Sequence, residues 1–199
     1  MNLKGVHIMS VRDKNYWDDL YGSDKGSIEK PVSQFLEQAL SSLKKGKAMD
    51  IACGTGSNSF FLAENGFTVE GIDFSKNAID RCKSRSGGYG TSVDFKVQSL
   101  DFFLMPIQKY DTVIITDFKA SPRLIDEIKK GLTIGGTLLL DVYTLNHLKE
   151  NPSSDLPAEE CYKAFELARV LKDWNLLYYD ERVANKENKV RVIAVKPSY

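Results

Sequence analysis

The feature that most constrains this chain is an alternation. Short, nearly continuous apolar runs at 47–52, 68–73 (TVEGID), 92–98 (SVDFKVQ), 110–116 (YDTVIIT) and 136–143 (GTLLLDVY) are separated, for the most part, by helical patterns at 57–65, 75–84 and 121–130. Runs that are apolar at successive positions suit strands covered on both faces, the condition of a parallel sheet with helices on each side. Between the third and fourth runs SLDFFLMPIQK is short for a crossover, so at most one or two helical turns are expected there. The end of the chain departs from the pattern. A helix is predicted at 158–171, followed by two strands, NLLYYDERV and VRVIAVKP, separated only by ANKENK. So short a connection requires an antiparallel hairpin. Upstream, PVSQFLEQALSSL predicts a helix over 31–43, with Pro31 in its first turn and Phe35, Leu36, Ala39, Leu40 and Leu43 on one face. The expected class is α/β: a mostly parallel seven-stranded sheet with helices on both faces and a C-terminal antiparallel hairpin.

With 199 residues, 42% of them hydrophobic, the chain can bury one full core. It reads as a single domain over 1–199, an N-terminal helical lid (1–46) over an α/β core (47–199). Twenty-seven basic residues balance 27 acidic ones, so composition gives no reason to expect nucleic acid or an anionic membrane as partner. Cys53, Cys82 and Cys161 form no C-x-x-C pair, which points away from a disulfide framework or a metal site and toward a reducing, cytoplasmic setting. No apolar run nears the roughly 18 residues of a membrane span. Met9 directly precedes the first patterned segment and is a candidate translation start.

The break in the first strand run carries the chemistry. DIACGTGSNSF (50–60) passes from strand to helix through Gly54 and Gly56, where a missing Cβ lets a ligand approach the backbone beside the helix N-terminus. Nineteen residues after Gly54, at the end of the second strand, stands Asp73. A carboxylate there can accept hydrogen bonds from the vicinal hydroxyls of a ribose, so turn and acid together specify a nucleoside. The dinucleotide pattern G-x-G-x-x-G would need glycine at 59, and the residue is Ser59. A Tyr-x-x-x-Lys at Tyr21 to Lys25 lies upstream of the turn, where it has no dehydrogenase role. Lys47 is followed by Ala48, which excludes a Walker loop.

AMDIACGTGSN, VEGIDFSKNAI, KYDTVIIT and GLTIGGTLLLDVY, in this order, resemble the consecutive motifs of the class I S-adenosylmethionine-dependent methyltransferases. YWDDLYGSDKG followed by PVSQFLEQAL, with WNLLYYDERV downstream, is similar to the small methyltransferases grouped with tellurite-resistance proteins. The resemblance implies a Rossmann-like fold and S-adenosyl-L-methionine as cofactor, released as S-adenosyl-L-homocysteine. It implies that Asp50 and the backbone of Ala52, Cys53 and Gly54 hold the methionine end, that Asp73 holds the ribose and that Phe74 lies against the adenine. Gln98, Ser99, Leu100 and Asp101 are unranked candidates around the adenine amino group, and Thr116 and Asp117 face the sulfonium. Ala52 stands where the family usually has glycine.

Other readings of these residues are open. Asp50 could cap the turn, Asp101 could be a solvated turn residue, and Cys53 reads as a packed thiol rather than a nucleophile. Tyr16, Trp17 and Tyr21 share helical spacing and fit either core packing or a cover over the cofactor, where ring faces attract a sulfonium. His7 and His147 read as structural or exposed. Methyl transfer is an in-line displacement that needs orientation more than a base, and no catalytic residue is identified. The acceptor is expected to be a small molecule and the protein a monomer or homodimer. Arg12, Lys119 and Arg123 are candidate attractors for an anionic acceptor, and Asp117, Tyr16 or His147 for a proton. The rival functions are a non-catalytic sensor or scaffold that binds the same cofactor and a nicotinamide oxidoreductase.

Overall fold

The computed structural model describes residues 14–23, 29–90, 92–181 and 188–198. Met9, His7, Arg12 and Lys25 lie outside these residues. In chain order the elements are α1 (Lys14–Gly22), α2 (Gln34–Ala39), β1 (Lys47–Ile51), α3 (Ser57–Glu64), β2 (Thr68–Asp73), α4 (Lys76–Arg85), β3 (Val93–Val97), β4 (Tyr110–Thr116), α5 (Pro122–Gly131), β5 (Leu132–Tyr143), α6 (Leu145–Glu150), α7 (Glu166–Val170), β6 (Asn175–Asp180) and β7 (Lys189–Val195). The strands form one sheet in the order β3-β2-β1-β4-β5-β7-β6. β1 to β5 run parallel, and β7 pairs antiparallel with both β5 and β6, as the short last connection requires.

The strands are apolar at successive positions because each face has its own core. Val113, Ile115, Leu138 and Leu140 pack on one side against Leu124, Ile125 and Ile128 of α5 and against Tyr162. Ile114 and Leu139 point the other way, toward Phe35 and Leu36 of α2, Phe60 and Leu62 of α3, and Ile79 and Cys82 of α4. Between β3 and β4 the chain makes only turns.

Three expectations are corrected. The helix predicted at 31–43 begins only after Ser33, whose hydroxyl accepts from the Leu36 N–H (3.2 Å) and so sets the N-cap past Pro31. Its last turn tightens into a 3₁₀ turn at Leu40–Ser42. The helix predicted at 158–171 is a 3₁₀ turn (Ala158–Glu160) and the short α7, separated by the bridge residue Tyr162 and a turn that ends at left-handed Phe165 (φ 57). The interruption is tertiary: Tyr162 bridges to Thr144 beyond β5, and its buried hydroxyl donates to the Ala120 carbonyl at 2.9 Å. Finally, β5 begins at Leu132 rather than 136, with a register shift opposite Tyr110 and Thr112 that accommodates Gly135 at φ 70.

The turn after β1 is left-handed at Ala52 (φ 58), Gly54 (φ 53) and Gly56 (φ 83). At Gly56 a Cβ would lie 3.0 Å from the Cys82 sulfur and 3.1 Å from the Phe95 ring, so a side chain would collide with the core. Ala52 meets the same backbone demand with a methyl group. An L-residue in this region costs roughly 1–2 kcal/mol, against about 0.5–1 kcal/mol for the extra chain entropy of glycine. Ala52→Gly is therefore expected to raise stability by about 0.5–1 kcal/mol in chemical denaturation. An unchanged or lowered midpoint would show that the alanine is unstrained.

Candidate functional site

β1 lies where the strand order reverses, with β2 on one side and β4 on the other. A crevice therefore opens at the carboxyl ends of β1, β2 and β4. Asp73, the last residue of β2, fixes one wall. Its Oδ2 accepts from the Gly54 N–H and its Oδ1 from the Ser75 N–H, each at 2.9 Å. One carboxylate thus ties the glycine turn to the start of α4. Burial pushes its pKa up, and those backbone donors partly oppose the shift. A carboxylate has about four acceptor positions, so beside Gly54, Ser75 and the nearby Phe74 N–H it keeps capacity to accept from a ligand hydroxyl.

Asp50, on β1, is 1% exposed and accepts from the Ser59 hydroxyl at 2.6 Å. Ser59 is the residue standing where a dinucleotide pattern would have its third glycine; here it serves as the donor to Asp50. Burial pushes Asp50 up to about 7, against the Ser59 hydrogen bond and with the Asp73 charge adding to it. No cation pairs with Asp50 among the described residues. Cys53 is a packed thiol: a hydrogen bond with Cys82 and burial hold its pKa well above the usual value, which removes nucleophilic character at neutral pH.

α1 closes over this crevice. It buries none of its side chains fully and is held to α4 by polar contacts: Ser75 Oγ donates to Asp18 Oδ1 (2.6 Å), Asn77 Nδ2 to the Asp18 carbonyl (2.8 Å) and Arg81 Nε to the Tyr21 carbonyl (2.7 Å). Trp17 and Tyr21 stack at 5.9 Å, with Tyr16 edge-on to Trp17 at 5.3 Å. These rings do not enter the core. The Tyr21 hydroxyl lies over Gly54, 2.8 Å from where a Cβ would be. The backbone left accessible by the missing Cβ of Gly54 is therefore covered by Tyr21, whose phenol burial holds protonated.

Phe74 follows Asp73 and is half-buried. Gln98, just past β3, is brought beside this end of the crevice: its N–H donates to the Asp73 carbonyl at 2.7 Å, while its amide nitrogen donates to the Ser99 carbonyl. Ser99 and Asp101 instead close an exposed local turn on each other (3.2 and 3.3 Å), and Leu100 packs toward the core. The four candidates are thus unequal, and Ser99 and Asp101 are the two turned to solvent.

At the end of β4, Thr116 accepts from Asn58 Nδ2 (2.9 Å), and Asn58 Oδ1 accepts from the Ser33 N–H (2.9 Å). Asp117 (φ 56) meets Lys189 at 2.8 Å and Lys30 at 3.5 Å. Asp141 is reached by Lys189 (3.4 Å), Arg191 (3.1 Å) and the Ser33 hydroxyl (2.8 Å). Burial would raise the Asp117 pKa, but Lys189 and Lys30 pull it below the usual carboxylate value. Burial would likewise lower Lys189, and Asp117 and Asp141 more than reverse it. Ser33, Asn58, Asp141 and Lys189 were not singled out from sequence, although a carboxylate inside the apolar run GTLLLDVY and the Lys-Val-Arg alternation of β7 were visible signals. The candidate attractors are otherwise engaged: Lys119 pairs with Glu166 at 3.1 Å and donates to the Cys161 carbonyl, and Arg123 donates to the Phe103 carbonyl. His147 packs on Tyr143 at 4.4 Å, away from Asp50 and Asp73 in the topology.

The crevice thus offers a diol acceptor at one end, a buried acid without a cation at the other, and a charged network beside both. The model of a methyltransferase domain family matches residues 42–188. The chain is 31% identical over 139 residues to phosphoethanolamine N-methyltransferase 1 of Zea mays, covering 67% of this chain and 27% of that protein. It is 24% identical over 168 residues to probable thiol methyltransferase 2 of Arabidopsis thaliana, covering 78% and 74%. The solved structure of TehB from Haemophilus influenzae superposes with a TM-score of 0.63 at 19% identity, over 93% of this chain and 67% of that one, and shows the shared fold. The chain spans about a quarter of the length of the first curated relatives it matches. It belongs to the methyltransferase domain family, in the class I group with the Rossmann-like fold, and its cofactor is S-adenosylmethionine.

Proposed function

We propose that the protein transfers a methyl group from S-adenosylmethionine to a small-molecule acceptor. The observation that carries this is the Asp73 carboxylate, which holds the glycine turn through Gly54 and keeps lone pairs for a ribose diol. Asp50 fits the cofactor's ammonium, the cation its burial lacks. The main chain of Ala52, Cys53 and Gly54 lines the amino-acid tail, Phe74 and Gln98 the adenine, with Ser99 and Leu100 behind them and Asp101 at the rim. Thr116 and Asp117 border the reacting end, and Trp17 and Tyr21 form the cover. Within one domain α1 acts as the lid, whereas α2, which the sequence division 1–46 and 47–199 assigns to the lid, contributes Phe35 and Leu36 to the core. The relatives' names, a phosphoethanolamine and a thiol methyltransferase, support a small acceptor, and the balanced charge favours one over nucleic acid. Three free thiols fit a cytoplasmic setting. Among the described residues no helix is long and apolar enough to cross a membrane.

Bound cofactor supplies a methyl group on a sulfonium, an electrophile that needs no further activation. The protein's part is to orient and to exclude water. Asp117, kept ionised by Lys189 and Lys30, is a weak base suited to positioning. Incubation with methyl-labelled cofactor and a panel of thiols, phosphorylated amines, phenols and chalcogen oxyanions tests the reading. Transfer to one class is expected; tight cofactor binding with no transfer to any would favour a sensor.

Two further outcomes follow. Asp73→Ala is expected to weaken S-adenosylhomocysteine binding by about 1.5–3 kcal/mol, the scale of hydrogen bonds to a charged group; unchanged calorimetric affinity would remove the ribose assignment. The second concerns pH. Asp50 is raised on folding from 3.8 to about 7, so its share of the stability of the cofactor-free protein is present below pH 3.8 and lost as pH rises through 7. An ionised Asp50 pairs with the ammonium, so S-adenosylhomocysteine affinity should rise through the same window. Asp50→Asn should flatten both profiles, and a wild-type affinity independent of pH from 5 to about 8 would contradict the role.

A further inference from the structure

A cavity of about 440 Å³ opens beyond the carboxyl end of β5, and Lys149, Lys163 and Arg169 stand around it with Thr144 and Asn146. Among the described residues no acidic side chain lines it. Lys149 reaches only Asn146 Oδ1, at 3.3 Å, and among the described residues no ion pair holds Lys163 or Arg169. The nearest carboxylate in sequence, Glu166, is committed to Lys119 at 3.1 Å and to the Lys163 N–H at 2.8 Å. In a chain of zero net charge, three cations around one cavity are a local surplus that an anion complements. The cavity is joined to the reacting end through the chain at Thr144, which lines it. Thr144 follows Tyr143, the Lys189 ammonium lies 4.8 Å from the Tyr143 ring, and the same ammonium meets Asp117 at 2.8 Å.

We propose that this cavity seats the doubly charged oxyanion of the acceptor, a phosphomonoester group, while the methyl-accepting atom extends past Tyr143 toward Asp117. A phosphomonoester carries about −1.5 to −2 charges and three strong acceptor oxygens, which suits three separate cationic donors better than a carboxylate does. The volume lies within the range of small-molecule pockets, roughly 300–1,000 Å³, so a short carbon chain fits beside the phosphate. The assignment of this anion to the acceptor rests on the methyl-transfer reading above.

The test uses the full chain and inorganic phosphate as probe, with chloride and acetate at matched ionic strength, followed by backbone amide shifts. Expected are saturable shifts confined to residues 144–149 and 163–169 with phosphate alone, and an affinity about tenfold or more weaker in Lys163→Ala/Arg169→Ala, the loss of at least one of the two charge-assisted hydrogen bonds removed. Both positions are exposed, and S-adenosylhomocysteine titrated in parallel should bind the variant as it binds the wild type. Absent or non-saturable shifts, an equal response to acetate, or an unweakened variant would overturn the seat while leaving the cofactor reading untouched. Intact phosphate binding in a protein that fails to bind S-adenosylhomocysteine would sink the methyl-transfer reading instead, and with it the assignment of the seat to an acceptor.

Discussion

The whole crevice depends on one carboxylate gripping two backbone N–H groups. Asp73 terminates β2 and is buried, yet it accepts from Gly54 and from Ser75 at 2.9 Å each. Those two contacts place the glycine turn, the end of β2 and the start of α4 in a fixed relation. Ser75 in turn caps α4 and donates to Asp18 of α1. A ligand hydroxyl arriving at Asp73 therefore meets an acceptor already oriented by the fold, so little ordering remains for the binding step.

A second charged centre stands on the other side of β1. Asp117, Asp141, Lys189, Arg191 and Lys30 draw together the ends of β4, β5 and β7 and the segment before α2. Two carboxylates facing three cations leave a slight positive excess, and the cationic cavity past Tyr143 continues it. In the proposed reading the two centres divide the labour: acids on β1 and β2 suit a cofactor that brings hydroxyls and an ammonium, and cations on β7, on α6 and around α7 suit an acceptor that brings negative charge.

Much of the fold was legible because connection lengths and two-faced apolar strands leave few topologies open. ANKENK alone forces the antiparallel pairing of β6 and β7, and GTLLLDVY needs a core on each side. The failures share a cause, which is contact between residues distant in sequence. Nothing in 158–171 announces that Tyr162 will anchor to Ala120 and break the helix. The six residues of α6 are too few for a helical period to stand out. In the candidate site, the positions of the glycine turn and Asp73 were readable from spacing, and of the four candidates past β3 it is Gln98 whose N–H the structure places on the Asp73 carbonyl. Asp141 was not, because its partners Ser33, Lys189 and Arg191 lie 108, 48 and 50 residues away. The placement of Tyr21 over Gly54 was equally hidden, since it depends on how α1 lies across α4.

A crystal structure of the protein with S-adenosylhomocysteine tests the central claim most directly. The account predicts the ribose hydroxyls within hydrogen-bond distance of Asp73, the amino group at Asp50, and the Tyr21 ring moved from over Gly54 to lie along the ligand. A complex with Tyr21 still seated on Gly54, Asp73 bonded only to Gly54 and Ser75, and the ligand lodged elsewhere would contradict it.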